Sequence, residues 1–303
     1  MRPGQACRGG CRGSGREQAS EARHLLRALK VVTGSLVVLQ LLVTFVVMGS
    51  WVTIIAYATD NRGRDLGAFL VGFPSTSAMS FFFTGWIVSP SVAVEATTDF
   101  PLFMSLTGSF LVVFAFASRK SFSKGLGWAL VFWVVTSLLI VLSGFKDFGL
   151  SMVGCTVVSA ITYYLFRWRL QLPFVKDVTK VFNRGHLVIR FVLGGGIVAT
   201  AVGMGLAGIP VLSGMFSAFP ALFSSTLLAV NMRHEKEYSR GMTMGMMVSA
   251  ILMIIPYSVA VRYLYPVYGI GYGTIIALLI PIAIGAVYLK YAKPYLVPSF
   301  LTS

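Results

Sequence analysis

Apolar runs dominate this chain, and polar residues come in short bursts between them. About 20 apolar residues carry a helix across the hydrocarbon core of a bilayer. That length predicts nine spanning helices: 31–58, 66–86, 92–117, 126–145, 149–167, 187–208, 211–231, 241–263 and 270–289. The first is long, with Gly49-Ser50 as its expected kink. The third carries Glu95 and Asp99 in its first turns.

The apolar pattern also repeats. Asp65-Leu-Gly-Ala-Phe-Leu-Val-Gly-Phe-Pro74 returns 146 positions later as Val211-Leu-Ser-Gly-Met-Phe-Ser-Ala-Phe-Pro220. The shared frame is small residues at 67/213 and 68/214, then Phe-Pro, then a hydroxyl cluster: Ser75, Thr76, Ser77 in one copy and Ser224, Ser225, Thr226 in the other. The same offset maps Thr97 onto Thr243, Gly125 onto Gly271 and Gly127 onto Gly273. It pairs spans one to four with spans six to nine and leaves span five, 149–167, without a partner. A lone central span reverses the second copy relative to the first, which predicts inverted repeats with the site where the halves meet. The expected fold class is therefore all-α: a polytopic helix bundle of about nine spans. Its parts are a basic tail (1–30), a first four-span repeat (31–145), a central span with basic linker (146–186), a second four-span repeat (187–291) and a C-terminal tail (292–303).

Composition strengthens the membrane assignment. Of 303 residues 56% are hydrophobic and 12% charged, against about 25% charged in an ordinary soluble domain. A net charge of +15 does not point to nucleic acid here, because no basic run is interleaved with aromatics. The basic residues lie between apolar segments, where they set topology. One set of loops holds fifteen Lys and Arg residues, from Arg62 and Arg64 through Arg119, Lys120, Lys124, Arg167 and Arg169 to Lys290 and Lys293, whereas the opposite set beyond residue 30 holds only Lys146. This places the richer set and the C-terminus in the cytoplasm of a cell-membrane protein, with the N-terminus outside. Seven basic residues of the tail, Arg2 to Lys30, run against that orientation. Its Arg/Gly-rich, motif-free composition suits a native start further downstream. It does not resemble a cleaved signal peptide, since the apolar run after it is about twice the usual length.

Ionisable groups inside a bilayer are costly and usually have a task. Glu95 and Asp99 are four apart, hence on one face of a continuous helix, and they precede Pro101, which favours a kink. Two close carboxylates sharing a proton are what a proton-coupled carrier needs, so both are candidate coupling groups. At the equivalent positions stand Gly241 and Gly245, a small-x-x-x-small pair that favours close helix approach. A proline within a span frees a carbonyl that nearby Ser or Thr can satisfy. Pro74 with Ser75, Thr76 and Ser77, and Pro220 with Ser224, Ser225, Thr226 and Asn231, are therefore candidate broken helices lining a substrate site.

Other features read as structural. Gly194, Gly195, Gly196, Gly203, Gly205 and Gly208 form a smooth packing face. Arg190 and Arg262 sit near span ends, where they can snorkel. Met242, Met244, Met246 and Met247 are apolar filler, and Trp51, Trp86, Trp128 and Trp168 are interfacial anchors. Cys155 is a small packing residue. Cys7 and Cys11, with His24 nearest, have no second pair to complete a metal site. No cofactor is implied.

At Arg190-Phe-Val-Leu-Gly-Gly-Gly196 and Gly214-Met-Phe-Ser-Ala-Phe-Pro-Ala-Leu-Phe-Ser-Ser-Thr226, the second half resembles the small GlpM-like membrane proteins of unknown function, compact four-span units with a Gly-rich first span and a Phe-Pro motif. The resemblance spans about residues 187–290 and implies no substrate. The overall plan resembles that of the drug/metabolite carriers in architecture only. Together these features lead to an expected secondary transporter of a small solute working by alternating access, not an enzyme. The alternative is a non-transporting assembly or accessory protein whose motifs are helix–helix glue.

Overall fold

The computed structural model describes residues 34–55, 57, 73–170, 184–231 and 236–292. The tail 1–30 (with Cys7, Cys11 and His24), residues 66–72 of the expected second span, most of the linker and Arg233-His234-Glu235 lie outside them. The chain falls into two compact units, Met1–Val43 and Thr44–Ser303. The first is described only from residue 34, as an apolar helical stretch exposing Leu36, Val38, Leu39 and Leu42. The second unit contains all the remaining described residues, from Thr44 onward.

Every described element is helical. In chain order they are α1 (Gly34–Ile55), α2 (Ser75–Ile87), α3 (Pro90–Ala96), α4 (Phe100–Ala117), α5 (Phe122–Leu142), α6 (Phe148–Tyr164), α7 (Arg184–Leu206), α8 (Pro210–Ser217), α9 (Ala221–Asn231) and α10 (Lys236–Val287). A wider helical turn, Leu165–Leu170, extends α6, and another, Tyr288–Ala292, extends α10. Seven helical stretches among the described residues are long and apolar enough to cross a membrane. The longest, α10, is interrupted at Gly269, whose φ of 70° lies in the left-handed region that favours glycine. That interruption falls between the two spans expected at 241–263 and 270–289.

Three expected elements are divided or uninterrupted for local reasons. The third span breaks at Thr97–Asp99, so Pro101 sits in the first turn of α4, where its missing N–H costs nothing. The seventh breaks after Ser217 and restarts at Ala221, directly behind Pro220. The first is helical through Gly49-Ser50 without interruption, because Gly49 serves a close contact and not a bend.

Helix α4 is the core of the unit. It packs against α5, α6 and α10 and buries Phe100, Phe103, Phe110, Leu111 and Phe114. Helices α5 and α6 turn Val131, Val135, Leu139, Val153, Val157 and Ile161 outward instead. Exposed aliphatic faces on long apolar helices suit contact with lipid tails, which solvate them as well as a protein core does.

Two pairs of helices occupying equivalent places in the sequence repeat lie side by side. Along α1 and α7, a Cβ added at Gly49 would touch the Phe191 ring at 2.6 Å, and one added at Gly195 would sit 2.5 Å from the Phe45 carbonyl oxygen. One turn on, Thr53 Oγ1 donates to the Leu187 carbonyl at 3.5 Å. Position falls in α7 as it rises in α1, so the two run antiparallel. Phe45 and Phe191 are 146 apart, as are Gly49 and Gly195, and the two rings meet edge to face with centroids 5.4 Å apart. Along α4 and α10 the sense is the same: Thr98 meets Arg262, Gly108 faces Met247 and Ile251, and the Ala115 carbonyl meets Arg240.

The glycine face of α7 is selective. Gly194 packs on Val52, Gly195 on Phe45 and Gly205 on Thr84, whereas Gly196 and Gly203 have open space. Gly245 is open as well, so its expected role in close helix approach is not seen. Gly195→Ala is expected to destabilise by about 1–3 kcal/mol through overpacking on backbone. Gly196→Ala is expected to be neutral or slightly stabilising, because it gains helix propensity in open space. Thermal unfolding of the two variants in detergent checks the contrast.

Candidate functional site

The two Phe-Pro motifs build the same local structure. In the first, the Ser75 N–H donates to the Phe73 carbonyl at 2.7 Å and the Ala78 N–H to the Pro74 carbonyl at 2.7 Å. In the second, the Ala221 N–H donates to the Phe219 carbonyl at 2.7 Å and the Ser224 N–H to the Pro220 carbonyl at 2.8 Å. Each pair is related by the 146-residue offset, and each proline opens a helix it has no N–H to continue. The offset also relates Thr97 to Thr243. Both are fully buried, and each hydroxyl donates at 2.6 Å to the carbonyl three residues back, Val94 or Arg240.

Breaking a span after Ser217 leaves carbonyls that its own helix no longer satisfies, and hydroxyls from the first half meet them. Ser77 Oγ donates to the Ser217 carbonyl at 3.3 Å, and Thr107 Oγ1 to the Ala218 carbonyl at 2.8 Å. Trp133 Nε1 in turn donates to Thr107 Oγ1 at 2.9 Å, with its ring edge-to-face on Phe219 at 5.0 Å between centroids. Alongside, Ser80 pairs with Ser217 and Thr84 with Ser213, so α2 and α8 share an antiparallel seam of hydroxyls. Every hydroxyl in this seam is buried.

Between the two breaks is a cavity of about 20 Å³, room for about one water molecule. Phe73, Pro74, Thr76 and Ser77 line it from one motif and Ser217, Ala218, Phe219, Leu222 and Phe223 from the other, with Met104 and Ile254 completing it. The structure thus brings Pro74, Thr76 and Ser77 to the junction of the motifs. Pro220 shapes the second wall but is not part of the lining. Ser75 Oγ and Ser224 Oγ are buried and have no hydrogen-bond partner among the described residues. Ser225 Oγ is turned back to the Leu222 carbonyl at 3.0 Å. Thr226 is buried in α9, and Asn231 is half-buried at its end.

The two carboxylates stand elsewhere and apart. Because α3 ends at Ala96, Glu95 and Asp99 do not share a helix face: Glu95 is exposed on α3, and Asp99 is buried at the start of α4. Both Asp99 oxygens lack a hydrogen-bond partner among the described residues. Glu95 borders an open hollow of about 610 Å³, lined also by Ser91, Val94, Thr98, Arg262 and Pro266. Arg262 does not snorkel freely. Its Nη1 donates to Thr98 Oγ1 at 3.1 Å and to the Val94 carbonyl at 3.4 Å, and its guanidinium covers the Phe148 ring at 4.4 Å. Arg190 is also held inside, 2% exposed on α7. Among the described residues, no three His, Cys, Asp or Glu side chains gather to hold a metal ion.

Ser80, Thr84, Thr107, Trp133, Ser213 and Ser217 belong to this hydrogen-bonded junction and are not among the expected site residues. A signal was present: Ser213 and Ser217 are four apart, as are Ser80 and Thr84, which places each pair on one helix face. Thr107 joins three elements, so its loss leaves both an indole N–H and a carbonyl unpaired in a buried place. Thr107→Val is expected to cost about 1–3 kcal/mol, and Thr107→Ser to recover most of it by keeping the hydroxyl. Detergent unfolding followed by Trp fluorescence checks this.

No protein-family model matches the chain, and no curated protein or solved structure matches it either, so the site rests on its own geometry.

Proposed function

We propose that the protein is a secondary carrier of a small solute that works by alternating access. It would have nine spans, with 31–145 and 187–291 as inverted repeats about a central span at α6. The observation that carries this reading is the duplicated Phe-Pro break: two motifs with the same hydrogen bonds line one cavity. Inverted-repeat carriers place their sites at paired discontinuous helices near the midplane. The antiparallel contacts of α1 with α7 and of α4 with α10 support the inverted arrangement, because each pair consists of equivalent helices. The distribution of Lys and Arg supports a cytoplasmic C-terminus in a cell membrane.

In this mechanism the α2–α8 seam is a gate, closed here. Each bond of Ser77, Ser80 or Thr84 across the seam is worth roughly 1 kcal/mol in a membrane protein, weak enough to be exchanged between states. The unpartnered hydroxyls of Ser75 and Ser224 are the groups left to meet a solute when the gate opens. Glu95, exposed in the hollow beside Arg262, is the coupling group of this proposal, with Asp99 as the buried second carboxylate. Protonating Glu95 would leave Arg262 as the one charge among the residues lining that hollow.

One observation favours the second reading, an accessory protein without transport. The cavity holds about one water molecule, and most hydroxyls around it are spent on carbonyls of neighbouring helices. Single cysteines decide between the two. Ser77→Cys and Ser217→Cys, in a background without Cys7, Cys11 and Cys155, are to be treated in sealed vesicles with a small impermeant thiol reagent from either side. The carrier predicts reaction that depends on the side of addition. A folded protein that reacts from neither side has a dry, packed centre, and the accessory reading then stands. Glu95→Gln is expected to abolish coupled transport while leaving unfolding unchanged. A fully active variant removes Glu95 from the mechanism.

A further inference from the structure

A second hollow, far from the Phe-Pro motifs in sequence, opens between the end of α4 and the wide turn that extends α6. Its volume is about 530 Å³. Val112, Val113, Leu165 and Leu170 form its apolar floor, while Arg119 and Arg169 stand at its rim. Both arginines are exposed, and among the described residues no carboxylate lines the hollow. The Arg119 guanidinium is steadied over the Phe116 ring at 4.7 Å, and Phe116 is itself 61% exposed. Next to the hollow, Tyr164 and Trp168 face outward with ring centroids 4.9 Å apart, the aromatic pair expected at the level of lipid headgroups.

These features divide by depth. The aliphatic side chains are half-buried between α4 and the turn that extends α6, a cleft that an acyl chain could enter. Two guanidiniums lie at the helix ends, on the side that holds Lys120, Lys124 and Arg167 as well. Arginine presents a planar fork of donors that matches phosphate oxygens in pairs. Basic pockets between spanning helices are a recurring way of holding anionic lipid heads.

We propose that this hollow is a binding site for an anionic phospholipid, with its phosphate between Arg119 and Arg169 and one acyl chain along Val112, Val113 and Leu165. A free phosphate ion would use the arginines but leave the apolar floor unfilled; the floor is what selects a lipid. The inference is independent of transport, because neither arginine takes part in the proposed gate.

The test uses the full chain purified in detergent micelles and titrated with dioleoyl phosphatidylglycerol or dioleoyl phosphatidylcholine, with bound lipid read by native mass spectrometry. Wild type is expected to retain phosphatidylglycerol in preference. Each arginine near a membrane surface contributes about a five-fold preference, so Arg119→Gln with Arg169→Gln should lower phosphatidylglycerol retention roughly 25-fold and leave phosphatidylcholine unchanged. Val113→Trp, which fills the floor with both arginines present, should also lower it at least several-fold. The proposal fails if the double variant retains phosphatidylglycerol like wild type. It fails equally if Lys120→Gln with Lys124→Gln weakens retention as much, since the whole basic face would then be responsible. If inorganic phosphate displaces the lipid while Val113→Trp has no effect, the site binds phosphate and not a phospholipid.

Discussion

A helix that stops inside hydrocarbon leaves backbone groups that water cannot reach, and the protein must satisfy them itself. The arrangement at Pro220 follows from that constraint. The Ser217 and Ala218 carbonyls, released by the break, are met by hydroxyls on α2 and α4. Thr107 can reach Ala218 only if α4 lies against the end of α8. Trp133 can reach Thr107 only if α5 follows. The break therefore selects which helices neighbour it, and the two halves are joined through hydrogen bonds as well as through packing. Apolar contact alone would not specify this, because lipid tails compete for Leu and Phe surfaces on nearly equal terms.

Small residues supply the other half of that specification. With no hydrophobic drive between helices in lipid, association depends on close approach. Gly49 and Gly195 each receive a phenyl ring from the other helix, from Phe191 and Phe45 respectively. These positions are related by the 146-residue offset, and the two contacts bring α1 and α7 together, through ring atoms nearest Gly49 and a carbonyl oxygen nearest Gly195. Gly196, one residue further, touches nothing, so the face is defined by helical phase and not by glycine content.

This explains what could be read from residues alone. The all-helical class, the long apolar helices and the helix starts behind the Phe-Pro motifs were legible, since they depend on local chemistry: apolar length and a missing N–H. The two motifs share a small cavity, and their hydroxyls do not contribute to it alike. Ser77 and Thr76 line the cavity, while Ser225 turns back on its own helix, and nothing in a run of hydroxyls says which one faces a neighbour. The shared face of Glu95 and Asp99 was misjudged because it assumed a continuous helix through Pro101. Arg190 is buried, whereas Arg262 is half-buried with its guanidinium on the Thr98 hydroxyl, the Val94 carbonyl and the Phe148 ring. Such partners come from distant parts of the chain.

The two halves differ where one residue changes the backbone's options. Thr97 and Thr243 make the same hydrogen bond, but the chain breaks after the first and stays helical through the second. Four residues on from each stand Pro101 and Met247. Proline has no N–H to donate to the carbonyl four residues back, which favours a restart with Pro101 in the first turn of α4, and methionine brings no such loss to α10 at that position. Helix α10 reaches across with two arginines: Arg262 donates to the Val94 carbonyl of α3 at 3.4 Å, and Arg240 to the Ala115 carbonyl near the end of α4 at 2.9 Å. Their equivalents in the first half, Phe116 and Val94, carry no charge. Where the chain is broken before α4, α10 runs on as helix from Lys236 to the interruption at Gly269, and its Arg240 and Arg262 touch the α3–α4 segment at two points along it.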